Sequence, residues 1–183
     1  MENFCECNFR RIACRVRLIK IFWHTRCMKN IYLFLGLFVL IASCSQESNL
    51  QANLEQSEIF LEKNLLDPRV VEIEPGLQYL VLESSDSNLS KPLLTDTITA
   101  DFHGTLEDGS IFWSSIELGE PLVIQLSQLI PGCQKAISQM HEGESWRVFI
   151  HPELAYGEEG RPTIPPNSVL IFDIELHLIL SSS

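Results

Sequence analysis

Residues 72–180 predict an α+β fold, an antiparallel sheet of about five strands wrapped over one short helix. Three observations point there. The apolar residues fall in short runs separated by Gly, Pro and Asp, and only one of those runs has helical spacing. The strand-like runs also lack the alternation with helices that a parallel sheet requires.

Leu77–Leu82 and Thr97–Leu106 read as strands. Glu107-Asp108-Gly109 supplies a turn, and Ser110–Ser114 leads away from it. Leu122–Leu126 alternates again. After Pro131-Gly132, the residues Cys133, Ala136, Ile137 and Met140 stand at i, i+3, i+4 and i+7, one face of a helix. Proline suits the first helical turn because the N–H it lacks would have no partner there. The Glu142-Gly143-Glu144 turn precedes a strand from Trp146 to Ile150, and a Pro/Gly-rich loop runs from Pro152 to Asn167. Val169–Leu180 closes the domain, with Leu170, Phe172, Ile174, Leu176, Leu178 and Leu180 expected on one face.

The 183 residues leave room for one ordinary domain plus extensions, and the 45% apolar fraction excludes global disorder. Charge is unevenly spread. Residues 1–44 carry seven Lys/Arg against two Asp/Glu, a balance of +5, while residues 45–183 carry six against 22, a balance of −16. An acidic body of this kind repels nucleic acid and anionic membrane surfaces, so neither is expected as a partner.

Met28-Lys29-Asn30 precedes an apolar run, Ile31–Ile41, and then Ala42-Ser43-Cys44. Eleven apolar residues fall short of the roughly 20 a spanning helix needs, and the order of charge, apolar run and small residues is that of a signal peptide over 28–43. Ile41-Ala42-Ser43-Cys44 also resembles a bacterial lipobox, which implies that Cys44 is acylated and begins the mature chain. A plain signal peptide or signal anchor is the alternative. Residues 1–27 read as a leader ahead of a start at Met28; Cys5, Cys7, Cys14 and Cys27 lack the paired spacing of a zinc site. With Cys44 lipidated, Cys133 is the one remaining thiol and must be buried to be tolerated in an oxidising compartment. Residues 44–71 form an acidic linker in which Leu54, Glu58, Leu61 and Leu65 mark one short helix, ended by Pro68, that packs on the domain or on nothing. A monomer is expected.

Gly104-Thr-Leu-Glu-Asp-Gly109, Phe112, Leu129-Ile130-Pro131-Gly132, Leu154-Ala-Tyr-Gly157, Ile164-Pro-Pro166 and Phe172-Asp-Ile-Glu-Leu176 occur in a characteristic order. Their order and spacing resemble the FKBP family of peptidyl-prolyl cis-trans isomerases. Gln125-Leu-Ser-Gln128, the Leu154–Gly157 motif and Glu74-Pro-Gly-Leu-Gln-Tyr79 look most like its bacterial Mip-type branch. The resemblance covers about residues 72–180 and implies prolyl isomerase activity on proline-containing polypeptides, without metal or cofactor.

By that resemblance the pocket comprises Phe102, Phe112, Trp113, Leu122, Leu129, Ile130, Cys133, Tyr156, Ile164 and Phe172. The Ile130 N–H and the Tyr156 hydroxyl would each hold a peptide carbonyl, and Phe112, Ile164 and Phe172 would clamp the proline ring. Read without the resemblance, Phe112 and Phe172 are equally core residues of strands. Four positions depart from the family pattern: Cys133 for a tryptophan floor, Trp113 for an aspartate, Phe102 for a tyrosine and Leu122 for a phenylalanine. These changes imply reduced activity and weak macrolide binding. A non-catalytic peptide-binding chaperone or surface module on the same fold is the alternative. Ser45 after the acylated cysteine resembles the outer-membrane sorting pattern, which implies a lipid-anchored protein of the bacterial envelope facing the periplasm or the surface. The five histidines show no metal spacing, and Glu107/Asp108 and Glu158/Glu159 read as solvated turn and loop carboxylates.

Overall fold

The computed structural model describes residues 47, 49–86 and 89–181. The leader (1–27), the signal segment (28–43) and Cys44 lie outside the described residues. Among the described residues no helix is long and apolar enough to cross a membrane.

A helix, α1 (49–64), precedes β1 (Val71–Glu74) and β2 (Leu77–Glu83). Then come β3 (Thr97–Thr105), β4 (Ile111–Ser114), the single turn α2 (Ser115–Leu118) and β5 (Leu122–Gln125). Helix α3 (Pro131–Ile137), β6 (Ser145–Ile150) and β7 (Leu170–Leu180) complete the domain. Among the described residues seven strands form one antiparallel sheet, ordered β1-β2-β6-β7-β3-β4, with β5 beside β4 on the same edge of β3. The class is α+β, with two strands more than the sequence pattern suggests. β1 falls at the start of the domain, ahead of the first strand the pattern marks, and Ser110–Ser114 pairs with β3 instead of merely leaving it.

The sheet curls over α3. Leu77, Ile98, Ala100, Val148, Ile150, Leu170, Ile174 and Leu176 are buried from the sheet side, against Cys133, Ala136, Ile137 and Met140. Fully burying a large aliphatic side chain is worth about 1.5–3 kcal/mol, so this layer dominates the domain's stability. Gly132 is what lets α3 seat: a Cβ there would lie 2.4 Å from Ile150 Cγ2.

The expected single face of β7 breaks near its end. Thr99 pairs with Leu178 and Ala100 with Leu176, leaving His177 as an extra residue. A bulge of this kind reverses the inside–outside alternation. Ile179 therefore packs on the core while Leu178 and Leu180 are exposed at 44% and 48%.

Helix α1 packs on the opposite, convex face of the sheet, burying Leu61 with Phe149 and Val169, beside Phe60, Val70, Leu80 and Ile171. Its buried stripe is turned from the expected one: Glu58 and Leu65 are exposed, and Ser57 is buried instead. Polar side chains fix that rotation. Ser57 Oγ donates to the Asn167 carbonyl at 2.8 Å and accepts from the Val169 N–H at 2.9 Å. Asn53 Nδ2 donates to the Pro166 carbonyl at 2.9 Å, and Asn167 Nδ2 donates back to the Leu50 carbonyl at 3.0 Å.

Candidate functional site

On the concave side, β3, β4, β7, the start of α3 and the loop between β6 and β7 surround a hollow of about 360 Å³. That volume lies within the ~300–1,000 Å³ usual for ligand sites. The structure brings all ten sequence-predicted residues to its lining: Phe102, Phe112, Trp113, Leu122, Leu129, Ile130, Cys133, Tyr156, Ile164 and Phe172. Gln128, Arg161 and Thr163 join them, and the sequence pattern had not singled these out.

Adjacent residues on a strand ordinarily face opposite ways, yet Phe112 and Trp113 both reach the hollow. Trp113 pairs with Gly104 and Ile111 with Thr105, so Phe112 is the unpaired residue of a bulge that re-aims it inward. Gly104 makes the space. A Cβ there would lie 2.6 Å from Phe112 Cζ and 2.9 Å from Phe172 Cε1. The three phenylalanines then meet edge to face: Phe112 and Phe172 at 5.3 Å and 89°, Phe102 and Phe172 at 6.2 Å and 85°. Trp113 stands edge-on to Phe102 at 6.2 Å. Such pairs contribute about 0.5–1.5 kcal/mol each beyond their burial and hold the walls at fixed angles.

Cys133 forms part of the floor. It is 2% exposed, and burial pushes its thiol up to about 12. Trp113 lines the hollow without plugging it. Two residues of the lining carry polar groups without a partner among the described residues. Ile130 is the N-cap of α3, and among the described residues no carbonyl accepts its N–H. The Tyr156 hydroxyl likewise has no hydrogen-bond partner among the described residues.

The loop that carries Tyr156 is braced internally. The Gly157 N–H donates to the Pro152 carbonyl at 2.9 Å, and the Asn167 N–H to the Gly157 carbonyl at 2.8 Å. Arg161 and Ile164 exchange backbone hydrogen bonds at 2.8 and 2.9 Å. Gly160, at φ +60°, would put a Cβ 2.5 Å from the Ile164 carbonyl oxygen, so no side chain fits there.

Behind the wall, the Phe102 N–H donates to Ser115 Oγ at 3.0 Å, and Ser115 Oγ donates to Asp101 Oδ1 at 2.6 Å. His177 Nε2 lies 2.8 Å from Asp101 Oδ2. The Ser115 hydroxyl, followed by His177, holds the Asp101 carboxyl below the usual carboxylate range. Serine gives its proton toward the carboxylate, not toward histidine, so the trio is a clamp on β3 and not a nucleophile relay.

A larger groove of about 590 Å³ lies along α1, lined by Glu55, Lys63, Asp67 and Glu107 among others. No aromatic cluster converges there. Among the described residues no group of three or more His, Cys, Asp or Glu is placed to hold a metal ion.

An antiparallel sheet curled over one helix, with an aromatic hollow at the helix N-terminus, defines an FKBP-like domain. The family model for FKBP-type peptidyl-prolyl cis-trans isomerase matches residues 89–177. The chain is 39% identical over 125 residues to the peptidyl-prolyl cis-trans isomerase Mip of Coxiella burnetii, covering 68% of this chain and 54% of that protein. It is 40% identical over 141 residues to the outer membrane protein MIP of Legionella longbeachae, covering 75% and 59%. The crystal structure of FkpA from Escherichia coli matches with a TM-score of 0.74 at 32% identity, over 85% of this chain and 72% of that one. The chain belongs to the FKBP-type peptidyl-prolyl cis-trans isomerase family, as a bacterial Mip-like member. It spans about half the length of the curated relatives it matches, 54% and 59% of the two named.

Proposed function

We propose that this chain catalyses cis–trans rotation of X–Pro bonds in exported polypeptides, at a rate reduced by its cysteine floor. The observation that carries the reading is one hollow combining Phe102, Phe112, Phe172 and Trp113 with the unpaired Ile130 N–H and Tyr156 hydroxyl.

Rotation about the amide faces a barrier of ~18–20 kcal/mol, because the twisted bond loses its resonance. A site lowers that barrier by binding the twisted form more tightly than the planar one. The phenylalanine walls grip the proline ring and exclude water from the imide carbonyl, whose polarity falls as the bond twists. Ile130 N–H and Tyr156 O–H hold the neighbouring carbonyls, so that one side of the bond is fixed while the other turns. Each ~1.4 kcal/mol of preferential binding gives a tenfold rate. Replacing an indole with a thiol removes apolar surface under the proline ring, which is why a reduced rate and weak macrolide binding are expected.

The test is the cis-to-trans relaxation of short X–Pro peptides with added protein; a rate equal to buffer alone defeats the reading. Cys133→Trp should raise kcat/KM severalfold by restoring a floor. The altered floor also favours a second reading, a peptide-binding chaperone that does not accelerate rotation. Peptide binding without acceleration in the parent protein would select it.

We further propose that Cys44 is acylated and holds a monomer on the bacterial envelope, at the outer membrane, with helix α1 packed on the domain rather than spacing it away. The lipobox-like Ile41–Cys44 supports this, as does the likeness to the outer membrane protein MIP of Legionella longbeachae. Metabolic labelling with a radiolabelled fatty acid, lost in Cys44→Ser, is the check.

A further inference from the structure

We infer that Arg161 makes the hollow selective for proline flanked by a carboxylate side chain, Asp or Glu; this rests on the isomerase reading above. Three arginines lie among the described residues, and two of them are engaged by aspartates: Arg69 by Asp67 at 2.6 Å and Arg147 by Asp173 at 2.6 Å. Arg161 is the exception. In a body of net charge −16, no carboxylate among the described residues lies within ion-pair distance of its guanidinium. Its neighbours Glu158 and Glu159 are exposed and do not reach it.

The guanidinium is instead laid over the Tyr156 ring, 4.7 Å from the centroid. That stacking occupies one face of the cation and leaves the N–H edges free, the edges that grip a carboxylate through two parallel hydrogen bonds. The backbone there is fixed in advance, because Arg161 and Ile164 exchange paired backbone hydrogen bonds. Arg161 is also the one formally charged side chain of the hollow's lining; the rest is aromatic, aliphatic or neutral polar. A peptide that seats its proline among the phenylalanines passes its next side chains over this lip.

The acidic body opposes an acidic peptide at long range, but at 0.15 M ionic strength that field fades beyond ~8 Å while the contact pair survives. An exposed pair of this kind corresponds to a preference of about two- to fivefold.

The test uses the full-length chain in mild detergent and four-residue peptides carrying Glu, Gln, Leu or Lys immediately before or after proline, with exchange read by NMR. The Glu-to-Gln ratio of kcat/KM should be about two to five on one flank, fall to about one in Arg161→Gln and lie between in Arg161→Lys. Arg161→Glu should shift preference to the Lys peptides. A ratio at or below one in the parent, or one unchanged in Arg161→Gln, overturns the inference while leaving the isomerase reading intact. If no peptide is turned over, the isomerase reading fails, and the same ratio is read from Kd by tryptophan fluorescence. Equal Kd values for Glu and Gln peptides, or no binding at all, overturn the inference there too.

Discussion

Single residues set the chemistry of the hollow and the pH response of its support. Cys133 is a spectator: with its thiol pushed up to about 12 by burial, almost none is thiolate at neutral pH. Against an ordinary thiol near 8.5, alkylation at pH 8 should be slower by about a thousandfold in the folded protein. Iodoacetamide labelling of the Cys133 peptide, with and without urea, measures this; equal rates would show the floor open to solvent. Asp101 behaves oppositely. Its carboxyl is held low by the Ser115 hydroxyl and then by His177, so its stabilisation is present above the ordinary carboxylate pKa and lost as pH falls through the lower folded value. Asp101→Asn should cost about 1–2 kcal/mol near pH 7 and progressively less below about pH 4. Denaturant melts across that range decide the matter, and a cost that does not shrink in acid would remove Asp101's charge from the account.

At the scale of the element, the bulge in β4 and the glycine opposite it do together what neither could alone. Gly104→Ala would drive a methyl into Phe112 and Phe172. Overpacking of this sort costs about 1–3 kcal/mol. Because it moves the two rings that would clamp proline, kcat/KM should fall at least about tenfold beyond any loss of folded protein. Activity normalised to the folded fraction tests it; an unaffected rate would mean the ring geometry is irrelevant. The strands were legible because every second residue of β3 is apolar or small and buried, and because β2 and β6 are short apolar runs beside turns; α3 was legible from Cys133, Ala136 and Ile137. Both bulges escaped, since one extra residue changes nothing in the composition of a run. The His177 bulge put Leu178 and Leu180 outside although every second residue of β7 is apolar. The true face of α1 escaped for another reason. Ser57, Asn53 and Asn64 look like solvent-facing residues until their partners, Val169, Pro166 and Gln78, are folded against them. Arg161 was invisible because its stacking on Tyr156 is a contact of three-dimensional structure, not of spacing.

Across the whole molecule, charge works against compactness. With 22 acidic residues against six basic ones in residues 45–183, a balance of −16, like charges crowd the folded surface. Raising ionic strength from 0.01 to 0.15 M shortens the screening distance from ~30 to ~8 Å, so the melting temperature should rise with salt. A melting temperature that falls instead would mean that pairs such as Arg147–Asp173 outweigh the general repulsion. The bonds that seat α1 carry a further consequence, in time. They join residues 110 to 117 positions apart, tying a segment near the start of the domain to a loop near its end. In chain order helix α1 is complete long before its anchor, so it cannot seat until residues 166–169 fold against it. The lip bearing Arg161, Ile164 and Asn167 thus comes late in the chain, and of the hollow's lining only Phe172 follows it.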